Sequence, residues 1–139
     1  MEQLGVEEVK DLKELAMNSD VITVHVPSVP ATRNLISEEF LSWMKSDSIL
    51  LNTSRGEIID EEALLGALSS KPMRAGLDVY VNEPAAPTGE FRSKLAQHPN
   101  VYGTHHIGAS TFQAQNAVAN GVVEILKAYE KGKVLNRVN

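Results

Sequence analysis

The sequence predicts an α/β fold built on a parallel sheet, and three observations point there. Strand-like and helix-like runs alternate from end to end of the 139 residues, the pattern of strands joined by helices that pack on the sheet faces. The run VITVHV, residues 21–26, is almost continuously apolar and β-branched, as expected for a strand covered on both faces. Chemically versatile residues also close three successive runs: Arg55 after ILLNTS, Glu83 after GLDVY and His106 after NVYGT. Ligands of an open α/β sheet bind outside the carboxyl ends of its strands, so these three side chains are expected to face one crevice.

Taken in order, GVEEV at residues 5–9 is a short strand candidate. Asp11 offers an N-cap with Glu14 three residues on, and Leu12, Leu15 and Ala16 make an apolar stripe, which predicts a helix over 11–18. VITVHV follows, and Pro27 ends it. Ser37 precedes Glu38 and Glu39, carboxylates placed where a helix dipole favours them, with Phe40, Leu41 and Met44 as the buried face of a second helix. SILLN (48–52) is the next strand, and Asp60 caps a third helix carrying Leu64, Leu65 and Leu68.

AGLDVY (75–80) is the following strand. Residues 81–100, with Pro84, Pro87 and Pro99 and little periodicity, read as a surface connection with one helical turn around 91–95. NVYGT (100–104) closes the sheet. The last helix is the longest: Ser110 and Gln113 suggest a capping box, Val118, Val122, Ile125 and Tyr129 recur at helical spacing, and Gly132 suits the position after the last turn. Lys127 and Lys131 complement the dipole there.

Composition narrows the function classes. One domain with one core fits 139 residues at 42% apolar content. A net charge of −5 offers no basic surface for nucleic acid, and no run is long and apolar enough to span a membrane. The expectation is a cytoplasmic protein without nucleic-acid or membrane partners. Cysteine is absent, and His25, His98, His105 and His106 lack metal-binding helical spacing, so no metal site is expected. His25 reads as structural and His98 as solvent-facing. Each of Arg55, Glu83 and His106 has an ordinary reading as a loop residue. Together they can bind an anion, hold a base and move a proton.

The runs SDVITVHVP, ILLNTSRGEIIDEEAL, AGLDVYVNEP and THHIGAST resemble, in order and spacing, the D-isomer-specific 2-hydroxyacid dehydrogenases, closest to their phosphoglycerate-oxidising branch. The resemblance covers nearly the whole chain. It implies a partial Rossmann-like parallel sheet with helices on both faces, lacking the first two strands and the glycine-rich loop. Residues 1–139 would form the carboxyl-terminal portion of an NAD-binding domain, with 133–139 starting the return to an absent substrate domain. In the implied strand order 3-2-1-4-5-6-7, residues 21–26 become a sheet edge. That edge, or the domain as a whole, would support a homo-oligomer, with the 1–9 arm available for exchange.

The same resemblance assigns roles. Arg55 would bind the carboxylate of a small 2-hydroxy or 2-keto acid, a bidentate task that suits a guanidinium. His106 would be the acid/base and Glu83 its paired carboxylate, within hydrogen-bonding reach and favouring the charged imidazolium. Val26, Thr32, Thr53, Asp78, His106, Ile107, Gly108 and Ala109 would contact NAD, with Asp78 holding the carboxamide. His105 stands where the family commonly has proline; it reads as a tolerated loop substitution, although a second imidazole would oppose charging of its neighbour. The implied activity is NAD-dependent oxidation of a D-2-hydroxyacid by the full-length protein, the present chain alone being inactive. A glyoxylate or hydroxypyruvate reductase and a non-catalytic NAD(H)-sensing corepressor-type module are the alternatives.

Overall fold

A computed structural model describes residues 5–84 and 90–137. The chain divides into two compact units, Met1–His105 and His106–Asn139. In the first, α1 (Leu12–Asn18), β1 (Val21–Val24), α2 (Glu38–Trp43), β2 (Ile49–Asn52), α3 (Glu61–Ser70), β3 (Arg74–Leu77) and β4 (Val101–Gly103) follow in order, with a 3-10 turn at Gly56–Ile58. The four strands form one parallel sheet in the order β1-β2-β3-β4. This is the expected α/β class.

The caps are local and mostly where the sequence places them. The Asp11 carboxylate accepts from Lys13 N–H, Ser37 Oγ from Phe40 N–H, and Asp60 Oδ1 from Ala63 N–H, each satisfying a helix-start donor that has no partner in the helix itself. Two lysines do the complementary work at helix ends. Lys71 Nζ donates to the carbonyls of Leu41, Ser42 and Met44 at the end of α2, and Lys45 Nζ to the Asn18 carbonyl at the end of α1, where it also pairs with Asp20 at 2.6 Å.

Ascending strand order with right-handed crossovers puts α2 and α3 on one face of the sheet, and α2 packs against both α1 and α3. The core lies beneath them: Ile22, Val24, Leu50, Ala75 and Leu77 from the strands meet Phe40, Leu41, Leu64 and Leu68 from the helices. Burial accordingly alternates along β1. Ile22 and Val24 are buried while Val21 and Thr23 are exposed. The covered-on-both-faces reading of 21–26 is thereby corrected, because within this unit only one face carries helices. β1 is also an edge, paired with β2 alone among the described residues.

Three further expectations change. Residues 5–9 form no strand: the described part of the arm is largely exposed, Val6 at 54%, and with no neighbouring strand it has no ladder to join. Residues 1–4 lie outside the described residues. The helical turn expected around 91–95 is instead a turn over 94–97 that buries Leu95 and closes on it through His98 N–H. His25 is exposed, its Nε2 2.9 Å from Thr23 Oγ1, whereas His98 is half-buried with Nδ1 accepting from Asn100 N–H, the reverse of the expected pairing.

The second unit is one helix, α4 (Phe112–Glu130), with its flanking turns. Its N-cap is Thr111, whose hydroxyl accepts from Ala114 N–H, one residue beyond the expected Ser110. Its end is a Schellman motif: Gly132 adopts φ +72°, Gly132 N–H reaches the Tyr129 carbonyl and Lys133 N–H reaches that of Ala128. No residue of α4 is buried.

Candidate active site at the carboxyl ends of the strands

Every site residue of the first unit follows the carboxyl end of a strand. After β1, Val26 is half-buried against the core, and the Thr32 hydroxyl folds the next loop by accepting from Val29 N–H at 3.0 Å and donating to the Pro27 carbonyl at 2.6 Å. That loop is anchored where Ile36 bridges Ile59, with Ile36 N–H on the Ile58 carbonyl and Asp60 N–H on that of Ile36.

After β2, Thr53 is exposed and Arg55 leaves the turn in an extended conformation, its Nη1 donating to the Ser54 carbonyl at 2.6 Å. The turn is built by Asn52. Its buried side chain accepts from Ser54 N–H and Oγ and donates to the Arg55 carbonyl. Gly56 then passes directly over the next loop: a Cβ there would lie 2.2 Å from the Tyr80 carbonyl carbon and 2.5 Å from Val81 N. Only glycine lets the Arg55 segment approach the β3 loop so closely.

After β3, Asn82 takes a left-handed φ of +59°, tolerated by asparagine, and reverses the chain so that the Glu83 carboxylate accepts from Tyr80 N–H. Glu61, at the start of α3, reaches over to accept from Val81 N–H at 2.7 Å. Two carboxylates therefore hold adjacent amides of one turn. Burial pushes the Glu61 carboxyl up; the Val81 N–H opposes that, and the charges of Glu62 and Glu83 add to it. The Tyr80 hydroxyl is likewise raised, first by burial and then by Glu61, Asp78 and Glu83. Tyr80 packs on Phe91 with ring centroids 5.4 Å apart, which closes the back of the turn.

Asp78 is buried, and its Oδ1 accepts from the Thr104 hydroxyl at 2.5 Å, joining the ends of β3 and β4. Its N–H bonds the Asn52 carbonyl at 3.0 Å, joining β3 to β2. In the second unit, His106 has φ +57°, a left-handed conformation in which histidine is among the few enriched side chains. Ile107 accepts from Ser110 N–H, and Gln115 Nε2 holds the Ala109 carbonyl at 2.7 Å, so residues 107–110 form a tight turn before the Thr111 cap.

At the sheet end where ligands of such folds bind, Asp78 is a buried carboxylate and Val26 a half-buried apolar side chain packed on the core. Among the described residues no cluster of three His, Asp or Glu side chains is placed to hold a metal ion. Sequence reasoning missed Asn52, Glu61 and Gly56. The only local signal was N-x-S-R-G itself, since an asparagine followed two residues later by serine invites a side-chain-built turn.

Residues 1–108 match the family D-isomer specific 2-hydroxyacid dehydrogenase, NAD binding domain. The chain is 41% identical over 138 residues, 99% of its length and 25% of the relative's, to D-3-phosphoglycerate dehydrogenase of Methanocaldococcus jannaschii. It is 48% identical over 115 residues to hydroxypyruvate reductase of Thermotoga maritima, covering 82% of this chain and 37% of that protein. The crystal structure of D-lactate dehydrogenase from Aquifex aeolicus complexed with NAD and lactic acid superposes with a TM-score of 0.69 at 33% identity, over 88% of this chain and 40% of that one. The chain thus spans 25% and 37% of the two curated relatives. With its parallel sheet, the chain belongs to the D-isomer-specific 2-hydroxyacid dehydrogenases, as part of their NAD-binding domain.

Proposed function

We propose that the full-length protein oxidises D-3-phosphoglycerate to its 2-keto acid with NAD, and that this chain carries the acid-binding and proton-transfer groups. The observation that supports it most is the contact made through Gly56, which brings the segment bearing Arg55 onto the turn bearing Glu83 at the ligand-binding end of the sheet. Bound NAD supplies the hydride acceptor for C2. Arg55 binds the substrate carboxylate in two parallel hydrogen bonds and polarises the adjacent oxygen. His106 takes the hydroxyl proton as C2 is oxidised and returns it in the reverse direction, with Glu83 stabilising the imidazolium. Val26, Thr32, Thr53, Asp78 and residues 106–109 form the nicotinamide side of the cofactor site.

The 48% identity to a hydroxypyruvate reductase supports a second reading in which the substrate is a smaller, unphosphorylated keto acid. A substrate panel on the full-length protein separates the two. D-3-phosphoglycerate oxidised with a kcat/KM well above that for glycerate supports the first, and hydroxypyruvate or glyoxylate reduction without phosphoglycerate turnover replaces it with the second. The 139-residue chain alone is expected to bind NAD weakly, because no G-x-G-x-x-G turn is present in it to cradle the pyrophosphate. Titration calorimetry showing tight stoichiometric binding would contradict that.

The protein is further proposed to be cytoplasmic and homo-oligomeric. No described helix is long and apolar enough to cross a membrane. In the 139-residue chain, the edge position of β1, with Val21 54% exposed and no lysine or proline within Val21–Val24, supports pairing between copies. Light scattering giving a monodisperse monomer at high concentration would overturn the oligomer.

A further inference from the structure

Asn52 ends β2 with its side chain fully buried, and a buried carboxamide is costly unless its oxygen and its amide both find partners. Both do. Oδ1 accepts from Ser54 N–H at 3.0 Å and from Ser54 Oγ at 2.8 Å, and Nδ2 donates to the Arg55 carbonyl at 2.8 Å. All three contacts go to Ser54 and Arg55, two and three residues on, so the side chain holds the bend by local side-chain-to-main-chain bonding.

The same residue works in a second direction. Its main-chain carbonyl accepts from Asp78 N–H at 3.0 Å, which fixes the end of β3 relative to the Arg55 turn. On the far side of Arg55, Gly56 abuts the Tyr80–Val81 peptide. Arg55 is therefore held at its carbonyl by Asn52 and at its following residue by the β3 loop. Its side chain folds back on the same turn, Nη1 donating to the Ser54 carbonyl at 2.6 Å.

We infer that Asn52 is a positioning residue for Arg55: its carboxamide fixes the main chain from which the guanidinium reaches the substrate carboxylate. The inference rests on the dehydrogenase reading, since it takes Arg55 to bind the acid. Aspartate at this position has the same shape and keeps the acceptor for Ser54, but it turns the donor facing the Arg55 carbonyl into a second acceptor. The turn then loosens at Arg55. Binding and activation of the acid should weaken more than binding of the cofactor, most of whose contacts lie elsewhere.

The experiment measures steady-state kinetics of the full-length protein with D-3-phosphoglycerate and NAD for Asn52→Asp, Asn52→Ala, Ser54→Ala and Arg55→Lys. The Asn52 variants should lose about tenfold in kcat/KM for the acid, the scale of one buried hydrogen bond, while KM for NAD stays within about twofold. Ser54→Ala, which removes one of the three contacts, should shift the acid parameter in the same direction by less. A folded Asn52 variant with parental kcat/KM for the acid, or one that weakens acid and NAD equally, overturns the inference. If neither Asn52 variant folds, Ser54→Ala decides, and parental kinetics there overturn it. Parental kinetics in Arg55→Lys would instead refute the role of Arg55 and with it the functional reading.

Discussion

The two units of this chain use apolar residues in opposite ways. In Met1–His105, the strands and helices share one core, in which Leu41, Leu50, Ile58, Leu64 and Met73 are fully buried. In His106–Asn139, α4 has a clear apolar stripe, yet Val118 is 65% exposed and Tyr129 71%, because a single helix contains nothing to pack on. The difference teaches that helical periodicity identifies an element without identifying its cover. A stripe stabilises only through what it meets.

Truncating one residue from each unit should separate them most widely. Leu50→Ala opens a cavity in the sheet core and should cost ~2–5 kcal/mol, whereas Val118→Ala should change stability by no more than about 0.5 kcal/mol. Urea unfolding of the 139-residue chain measures both, and equal losses would show that α4 is as well covered as β2. Next in size, Gly56→Ala forces a methyl group into the Tyr80–Val81 peptide and should cost about 1–3 kcal/mol or displace the Glu83 turn. Gly66→Ala, where a Cβ meets open space on a helix, should stabilise by up to about 1 kcal/mol. Similar melting temperatures for the two variants would mean that the Arg55 segment does not press on the β3 loop.

Much of this was readable beforehand, and the unread part has a common cause. Asp11, Ser37 and Asp60 signal their helices because a cap involves residues only two or three apart. β1 to β4 were legible as apolar runs for the same reason. What failed depended on partners distant in sequence: GVEEV looks like a strand but has no ladder, VITVHV looks central but carries helices on one face, and Lys71 gives no hint that it will cap α2 some thirty residues away. In the site, Arg55 and Glu83 stood out by chemistry at strand ends, and Asp78 only through the family resemblance. Asn52 and Glu61 did not, because their work is to hold other residues' main chain.

The Lys71 cap offers a smaller test of the comparison. Lys71→Met leaves the α2 carbonyls of Leu41, Ser42 and Met44 without their cation and should cost about 1–2 kcal/mol, while Lys127→Met in α4 should be near neutral. Thermal melts of the pair check this. The smallest expected effect is a slope in pH. Glu61 has its folded-state pKa raised above the ordinary 4.5, so in the window just above 4.5 the folded chain holds more protons than the unfolded one, and stability falls as pH rises through it. Glu61→Gln keeps an acceptor for Val81 N–H but cannot titrate, and should flatten that fall. Superimposable urea midpoints for the variant and the parent across this window would remove burial of Glu61 from the account.

The central claim, that His106 moves the proton in a dehydrogenase reaction, is tested most directly by His106→Asn in the full-length protein. Asparagine tolerates the left-handed backbone at this position, so the turn before α4 should survive while the acid/base is lost. With His106 as the acid/base, kcat/KM for D-3-phosphoglycerate oxidation should fall by about 10²–10⁴ with an unchanged melting temperature. Turnover at the parental rate in a folded His106→Asn protein would contradict it.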